Sequence, residues 1–364
     1  MNFSDYLTLF FLFFLILGGI DKCLENKFGL GDGMERGFNC AGPLIMAMIG
    51  FTCFAPVFAR WLQPVLTPVF TAMGADPSLF AGLLIANDSG GFPLALSLAN
   101  DETVACYSGL LVASIMGVLI MFTIPVGFSS VTKEQRPLLI KGLLIGIITV
   151  PAGLILGGLF SGLSFKLWLL NTLPVLVVSV VLALCMWLIP NIIAKIMMVF
   201  GRFLSVVLIV TLVVSILDFK LDFINIDGLV SYTEGVKVVG EILIVLAGAF
   251  PFLNLIKKIF QKPLSRLCDK IDMNEESVMG LITLPINGIP TFAAMPQMND
   301  RGLIVITAAS VSMDFAIGDH LAYTLSVRPE YAAMVLVGKI GGGIAAVVLA
   351  MWMTRRKKTA GPAA

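Results

Sequence analysis

Apolar runs of about twenty residues follow one another along almost the whole chain, and this constrains the fold more than any other feature. A helix rising 1.5 Å per residue needs about 20 apolar residues to cross the ~30 Å hydrocarbon core of a bilayer. Such runs fall at roughly 3–20, 39–62, 105–127, 138–163, 167–189, 197–217, 236–257, 302–323 and 331–353. Composition agrees: 58% of the 364 residues are hydrophobic and 13% are charged, whereas about a quarter of a soluble domain is charged. The chain therefore reads as an all-α polytopic membrane protein with about nine full spans. Leu7–Ile20 lacks a basic start and a small-residue cleavage site, and reads as a retained span. A net charge of +1 offers no basic surface to nucleic acid.

Two further apolar stretches are interrupted. The first, 78–100, breaks at Asn87-Asp88-Ser89-Gly90-Gly91 and again at Pro93; the second, 277–298, breaks at Pro285, Asn287-Gly288 and Pro290. Backbone N–H and C=O groups find no water in lipid, so irregular backbone at depth survives only where protein or a wet cavity covers it. A carboxylate in such a break adds several kcal/mol, which marks it as a functional group.

Loop charge suggests how these stretches run. Arg355-Arg356-Lys357-Lys358 follow the last run, and the connector 257–276 carries Lys257, Lys258, Lys262, Arg266 and Lys270. The positive-inside rule puts both on the cytoplasmic side. Both ends of 277–298 then lie inside, so it turns back. Carried towards the N-terminus through Lys195, Arg202, Lys133, Arg136 and Lys141, the same rule makes 78–100 a second re-entrant hairpin, entering from the opposite face.

An internal duplication fits this topology. GLLIANDSGGFPLALSLAND (82–101) resembles the segment from Gly280 to Asp300, and Gly109-Leu110-Leu111-Val112 parallels Gly302-Leu303-Ile304-Val305. The expected architecture is an inverted repeat of five, one and five elements. It places a first repeat at 1–164, a linking span at 165–190, a second repeat at 191–354 and a basic cytoplasmic tail at 355–364. Inverted repeats with broken helices at matching places point to a secondary transporter whose site lies at the midplane.

Candidate chemistry gathers at the breaks. Asp88, Asn87 and Ser89 on one hairpin and Asn287 on the other offer a carboxylate, amides and a hydroxyl, a set suited to a small cation that carries donors. Gly90, Gly91 and Gly288 permit the turn and close approach. Asp314, Asp319 and His320, the only histidine, are candidates for gating or proton relay. Lys339, eight residues into the last span, is too deep to snorkel and predicts a structural ion pair. Lys237 and Glu241, at i,i+4, read as an interfacial pair.

The chain has no Walker-type phosphate loop, no serine elbow and no soluble domain large enough for catalysis, which argues against an enzyme or an ATP-driven pump. Six cysteines are scattered without a CxxC pair or a nearby histidine, so neither a metal nor a disulfide framework is expected, and no cofactor.

The residues that carry this chemistry also carry a resemblance. Asp88-Ser89-Gly90-Gly91-Phe92 after FAGLLIAN, Asn287-Gly288-Ile289-Pro290, Phe315-Ala316-Ile317-Gly318-Asp319-His320-Leu321 and Val337-Gly338-Lys339 resemble the bacterial ethanolamine utilisation permease family over nearly the whole chain. The resemblance implies ethanolamine uptake across the bacterial cytoplasmic membrane, with the lipid bilayer as surroundings. Analogy with hairpin carriers adds a homo-oligomer. The residues alone also fit a carrier of another small amine or ion, or a membrane sensor without transport.

Overall fold

The structure, a computed structural model, describes residues 2–221, 226–260, 268 and 270–355. The tail residues Arg356, Lys357 and Lys358 and the connector residues Lys262 and Arg266 lie outside the described residues. Among the described residues the regular structure is all helix. In chain order it comprises α1 (Phe3–Cys23), α2 (Gly31–Ala72, with a turn at Asn39-Cys40), α3 (Leu79–Leu84), α4 (Phe92–Leu98), α5 (Glu102–Ser130), α6 (Arg136–Gly158) and α7 (Phe165–Leu188). There follow α8 (Pro190–Leu221), α9 (Tyr232–Phe260), α10 (Glu275–Thr283), α11 (Gly288–Ala294), α12 (Asp300–Met313), α13 (Asp319–Val327) and α14 (Ala332–Met353). Eight helices among the described residues, α1, α2, α5–α9 and the one ending in α14, are long and apolar enough to cross a membrane. The stretch 302–323, expected as one unbroken span, is instead α12 and α13 with a break between them at 314–318.

Glycine spacing sets the closest helix crossings. Gly153 and Gly157 on α6 face Gly338 and Gly342 on α14, where backbone meets backbone. Farther along α6, Gly142 and Gly146 lie against the backbone and side chains of Ile304, Thr307, Ala308 and Val311 on α12. Small residues four apart let helices approach without a side-chain layer, so dispersion and weak backbone contacts replace the hydrophobic effect that lipid cannot supply. The result is an α6–α12–α14 core in which Lys339 is fully buried. On the other side, Gly33 and Gly37 of α2 pack on Pro251 and Ala247 of α9, and Gly248 of α9 packs on the Phe11 backbone of α1.

Both interrupted stretches double back. Asp76, just before α3, accepts hydrogen bonds from Ser78 N (2.9 Å) and, across the open end, from Asn100 N (2.9 Å). Asn274, just before α10, accepts from Asn299 N (3.1 Å) and donates to the Gln297 carbonyl (2.7 Å). A side chain thus ties the start of each stretch to its end. In the second, Thr283 and Thr291 hydroxyls also bond across the break at 2.8 Å. The helices that follow are capped alike, Val104 N bonding Asp101 Oδ1 and Gly302 N bonding Asn299 Oδ1.

Candidate functional site

Each hairpin is interrupted where its sequence stops being helical. In the first, Ile85 and Ala86 are extended and the chain kinks within 87–91, where Ser89 and Gly90 leave helical geometry, Gly90 at φ +103°. That φ is closed to ordinary side chains, and a Cβ there would also enter the Phe51 ring. Gly91 sits against the Ile85 and Ala86 carbonyls. In the second, Leu284–Asn287 separate α10 from α11, and Asn287 Oδ1 accepts from Ile289 N at 2.9 Å to cap α11.

The third break, at 314–318, is held by the second. Phe315 N donates to the Leu284 carbonyl (3.1 Å) and Ile317 N to the Pro285 carbonyl (2.6 Å). Phe315 takes φ +57°, an unfavourable conformation for a bulky residue, and those bonds hold it there. Gly318 allows the Ile286 carbonyl to lie where a side chain would be, and the Asp314 carboxylate fills the corresponding space at Gly288. Two unwound segments therefore cross, with Asp314 at the crossing.

The first break meets α5 in a related way. Gly117 lies directly on Ile85 and Ala86, and Ala86 N, freed from its helix, donates to Met121 Sδ at 3.2 Å. Residues 107–117 and 119–123 of α5 are π-helical, a widened geometry frequent at functional sites.

These contacts gather the ionisable groups. Lys339 lies within electrostatic reach of both Asp88 and Asp314, Asp319 and Tyr323 lie within reach of Asp88, and His320 within reach of Lys339. Ser89 Oγ donates to Asp88 Oδ1 at 3.2 Å. Both Asp314 oxygens, both polar atoms of the Asn87 amide and His320 Nδ1 are buried without a hydrogen-bond partner among the described residues. Each such orphan costs about 1–3 kcal/mol, more if charged, so the cluster is suited to a ligand that supplies donors and charge. Asp319 stands in the first turn of α13, where the helix macrodipole favours an acid. Rings line the crossing, with Phe122 5.4 Å from Phe292 and 5.2 Å from Phe315, and Phe315 5.5 Å from His320.

Three features differ from expectation. Lys339 has no carboxylate within 4.0 Å among the described residues; its ammonium donates instead to the Ser114 carbonyl of π-helical α5, so the expected contact ion pair is replaced by a backbone bond. Lys237 and Glu241 form no ion pair but line the wall of a cavity of about 510 Å³. His320, three residues from the end of the run expected at 302–323 and so readable as interfacial, is 2% exposed. Sequence reasoning also missed Ser114, Met121 and Phe122, which act through a carbonyl, a sulfur and a ring rather than through a polar motif.

The cavity runs in from the end that holds Glu234 and Arg328 to the rings of Phe92 and Tyr323, whose centroids are 6.2 Å apart. Arg328 bonds Glu102 at 2.5 Å and lies 6.0 Å over the Phe92 ring. Phe92, Tyr323 and the ion-paired Arg328 thus stand together in the cavity wall.

Long apolar helices around broken segments that bury unpartnered polar groups define a multi-pass membrane protein of the permease kind. The family model of the ethanolamine utilisation protein, EutH, matches residues 3–353. A protein of Listeria monocytogenes named "Probable ethanolamine permease EutH" is 38% identical over 98% of this chain and 95% of its own. The Salmonella typhimurium protein of that name is 34% identical over 99% and 98%, and a Bacillus subtilis protein named "Uncharacterized protein YxeR" is 36% identical over 97% and 96%. No solved structure matches. The chain belongs to the EutH family.

Proposed function

We propose that the protein carries ethanolamine across the bacterial cytoplasmic membrane as a secondary transporter or facilitator. The observation that carries this reading is the crossing of the second and third breaks at Asp314, whose carboxylate is buried and unpartnered among the described residues, with Lys339 within electrostatic reach of both Asp314 and Asp88 of the first break. Asp88 pairs with the substrate ammonium. Asn87, Ser89 and Asn287 bond its hydroxyl and hold the hairpin tips, with Gly90, Gly91 and Gly288 giving the backbone room. Asp314, Asp319 and His320 gate the site or pass protons. Broken helices that present polar groups at the midplane are the arrangement secondary carriers use. The printed names of the Listeria and Salmonella relatives support the cargo.

The two halves act as inverted repeats, with both hairpins re-entrant and the C-terminus cytoplasmic. The test is flux of labelled ethanolamine into liposomes that hold only this protein, with and without an imposed proton gradient. Substrate-dependent flux supports a carrier, and accumulation above equilibrium shows coupling. Absence of flux, with the purified protein folded, would overturn the reading.

A further inference from the structure

Lys339 is the one cationic side chain in this cluster, and it is fully buried on α14. Among the described residues its ammonium is hydrogen-bonded to the Ser114 carbonyl alone, although an ammonium has three donors. Asp314, which has no hydrogen-bond partner on either oxygen, and Asp88 are the acids that feel its charge. The other ionisable groups of the cluster stand on α13: His320 lies within electrostatic reach of Lys339, and Asp319 and Tyr323 within reach of Asp88. At the α14 crossing, α6 contributes Gly153 and Gly157, α12 contributes the unpartnered Ser312 hydroxyl beside Gly342, and α5 contributes the Ser114 carbonyl, none of them ionisable.

The position matters because the proposed substrate carries the same group. A buried primary ammonium on a tether already lies within electrostatic reach of the acids to which an incoming primary ammonium would bind. Two like charges in a site with few waters repel strongly, since the low local dielectric that strengthens attraction strengthens repulsion equally. Lys339 and bound substrate therefore cannot both be charged there without a large loss of affinity.

We propose that Lys339 is a built-in ammonium whose charge balances the nearby acids of the empty carrier without contacting them, and that it releases one proton when an ethanolamine ammonium binds those acids. The N–H bond of Lys339 breaks with its electron pair left on nitrogen, and the proton passes to solvent. Net charge in the site is unchanged, so substrate and proton exchange one for one. The tether explains why a lysine stands beside a cation site at all, and why its hydrogen bond is to a neutral carbonyl from which it can withdraw. This inference rests on the functional reading above and supplies its coupling chemistry.

The experiment is ethanolamine binding to the purified full chain in weakly buffered detergent solution. Bound ligand is measured by equilibrium dialysis, and released protons by an indicator dye. The wild type is expected to release about one proton per ethanolamine bound. Lys339→Met is expected to bind with little proton release and with a flattened pH dependence. Lys339→Arg, whose guanidinium keeps its charge, is expected to bind at least about tenfold more weakly across the pH range. Should Lys339→Met fail to fold, the arginine variant decides by itself.

Binding without proton release in the wild type, unchanged release in Lys339→Met, or wild-type affinity in Lys339→Arg would each overturn the inference while leaving ethanolamine carriage intact. No binding by the wild type would overturn the functional reading and this inference together.

Discussion

The two hairpin-and-helix units share their frame and differ in where they carry acid. In the unit from 76 to 130, the acid stands on the hairpin as Asp88, and the helix that follows, α5, stays continuous by widening into π turns. In the unit from 274 to 327, the hairpin tip is neutral and caps its own helix through Asn287, while the following helix breaks at Asp314. Pairing Gly109 with Gly302 sets Met121 opposite Asp314 and Phe122 opposite Phe315. Each of these stations handles the neighbouring hairpin's stray backbone groups, Met121 by accepting from Ala86 N and Phe315 by donating to the Leu284 carbonyl. Two similarly tied hairpin-and-helix units thus carry their acids on two different elements, Asp88 on a hairpin and Asp314 in the break of a following helix.

The sharpest way to break this comparison is to neutralise the two acids separately. Asp88→Asn removes the charge assigned to the substrate ammonium, and losing one partner of a buried charge pair costs about 2–5 kcal/mol. Ethanolamine uptake should fall by about a hundredfold, since each 1.4 kcal/mol is tenfold. Asp314→Asn keeps the shape against Gly288 and should lower uptake by about tenfold, an effect of about 1.4 kcal/mol. Equal loss in both variants would erase the assigned difference in roles.

The crossing glycines test the shared frame instead. A Cβ at Gly117 or at Gly318 would meet hairpin backbone, Ile85 and Ala86 in one case and Ile286 in the other. Gly117→Ala and Gly318→Ala should each destabilise the protein by about 1–3 kcal/mol, the usual cost of overpacking, read as a fall in thermal midpoint in detergent. A variant at either position with wild-type stability would show that its crossing is looser than described.

Much of this was legible because polar and glycine-proline clusters have no other use inside apolar runs. Asn87 to Gly91 and Pro285 to Pro290 announce their breaks. The break at 314–318 did not announce itself. Asp314-Phe315-Ala316-Ile317-Gly318 has no proline and lies in a run that satisfies the length rule for a span. It unwinds because carbonyls thirty residues upstream, on Leu284 and Pro285, take up its N–H groups, a long-range cause that no local pattern encodes. Lys339 was legible as a buried cation, yet its partner was not, since a carbonyl belongs to every residue and marks none. The π turns of α5 were hidden for a similar reason: 108–120 is uniformly buried and apolar apart from Ser108 and Ser114.

The smallest effect sharpens the contrast between the tips. Asn287→Ala removes the cap on α11 and should cost about 1 kcal/mol of stability, with ethanolamine affinity changed less than about threefold, or about 0.6 kcal/mol. Asn87→Ala lies at the charged tip and should shift affinity more than Asn287→Ala does. Binding measured side by side on the two variants checks this order.

The most direct measurement is an experimental structure with ethanolamine bound. The expected result is its nitrogen within hydrogen-bonding distance of the Asp88 carboxylate, enclosed between residues 85–91 and 314–318. Ethanolamine held only in the outer cavity beside Glu241, with Asp88 and Asp314 out of reach, would contradict the account.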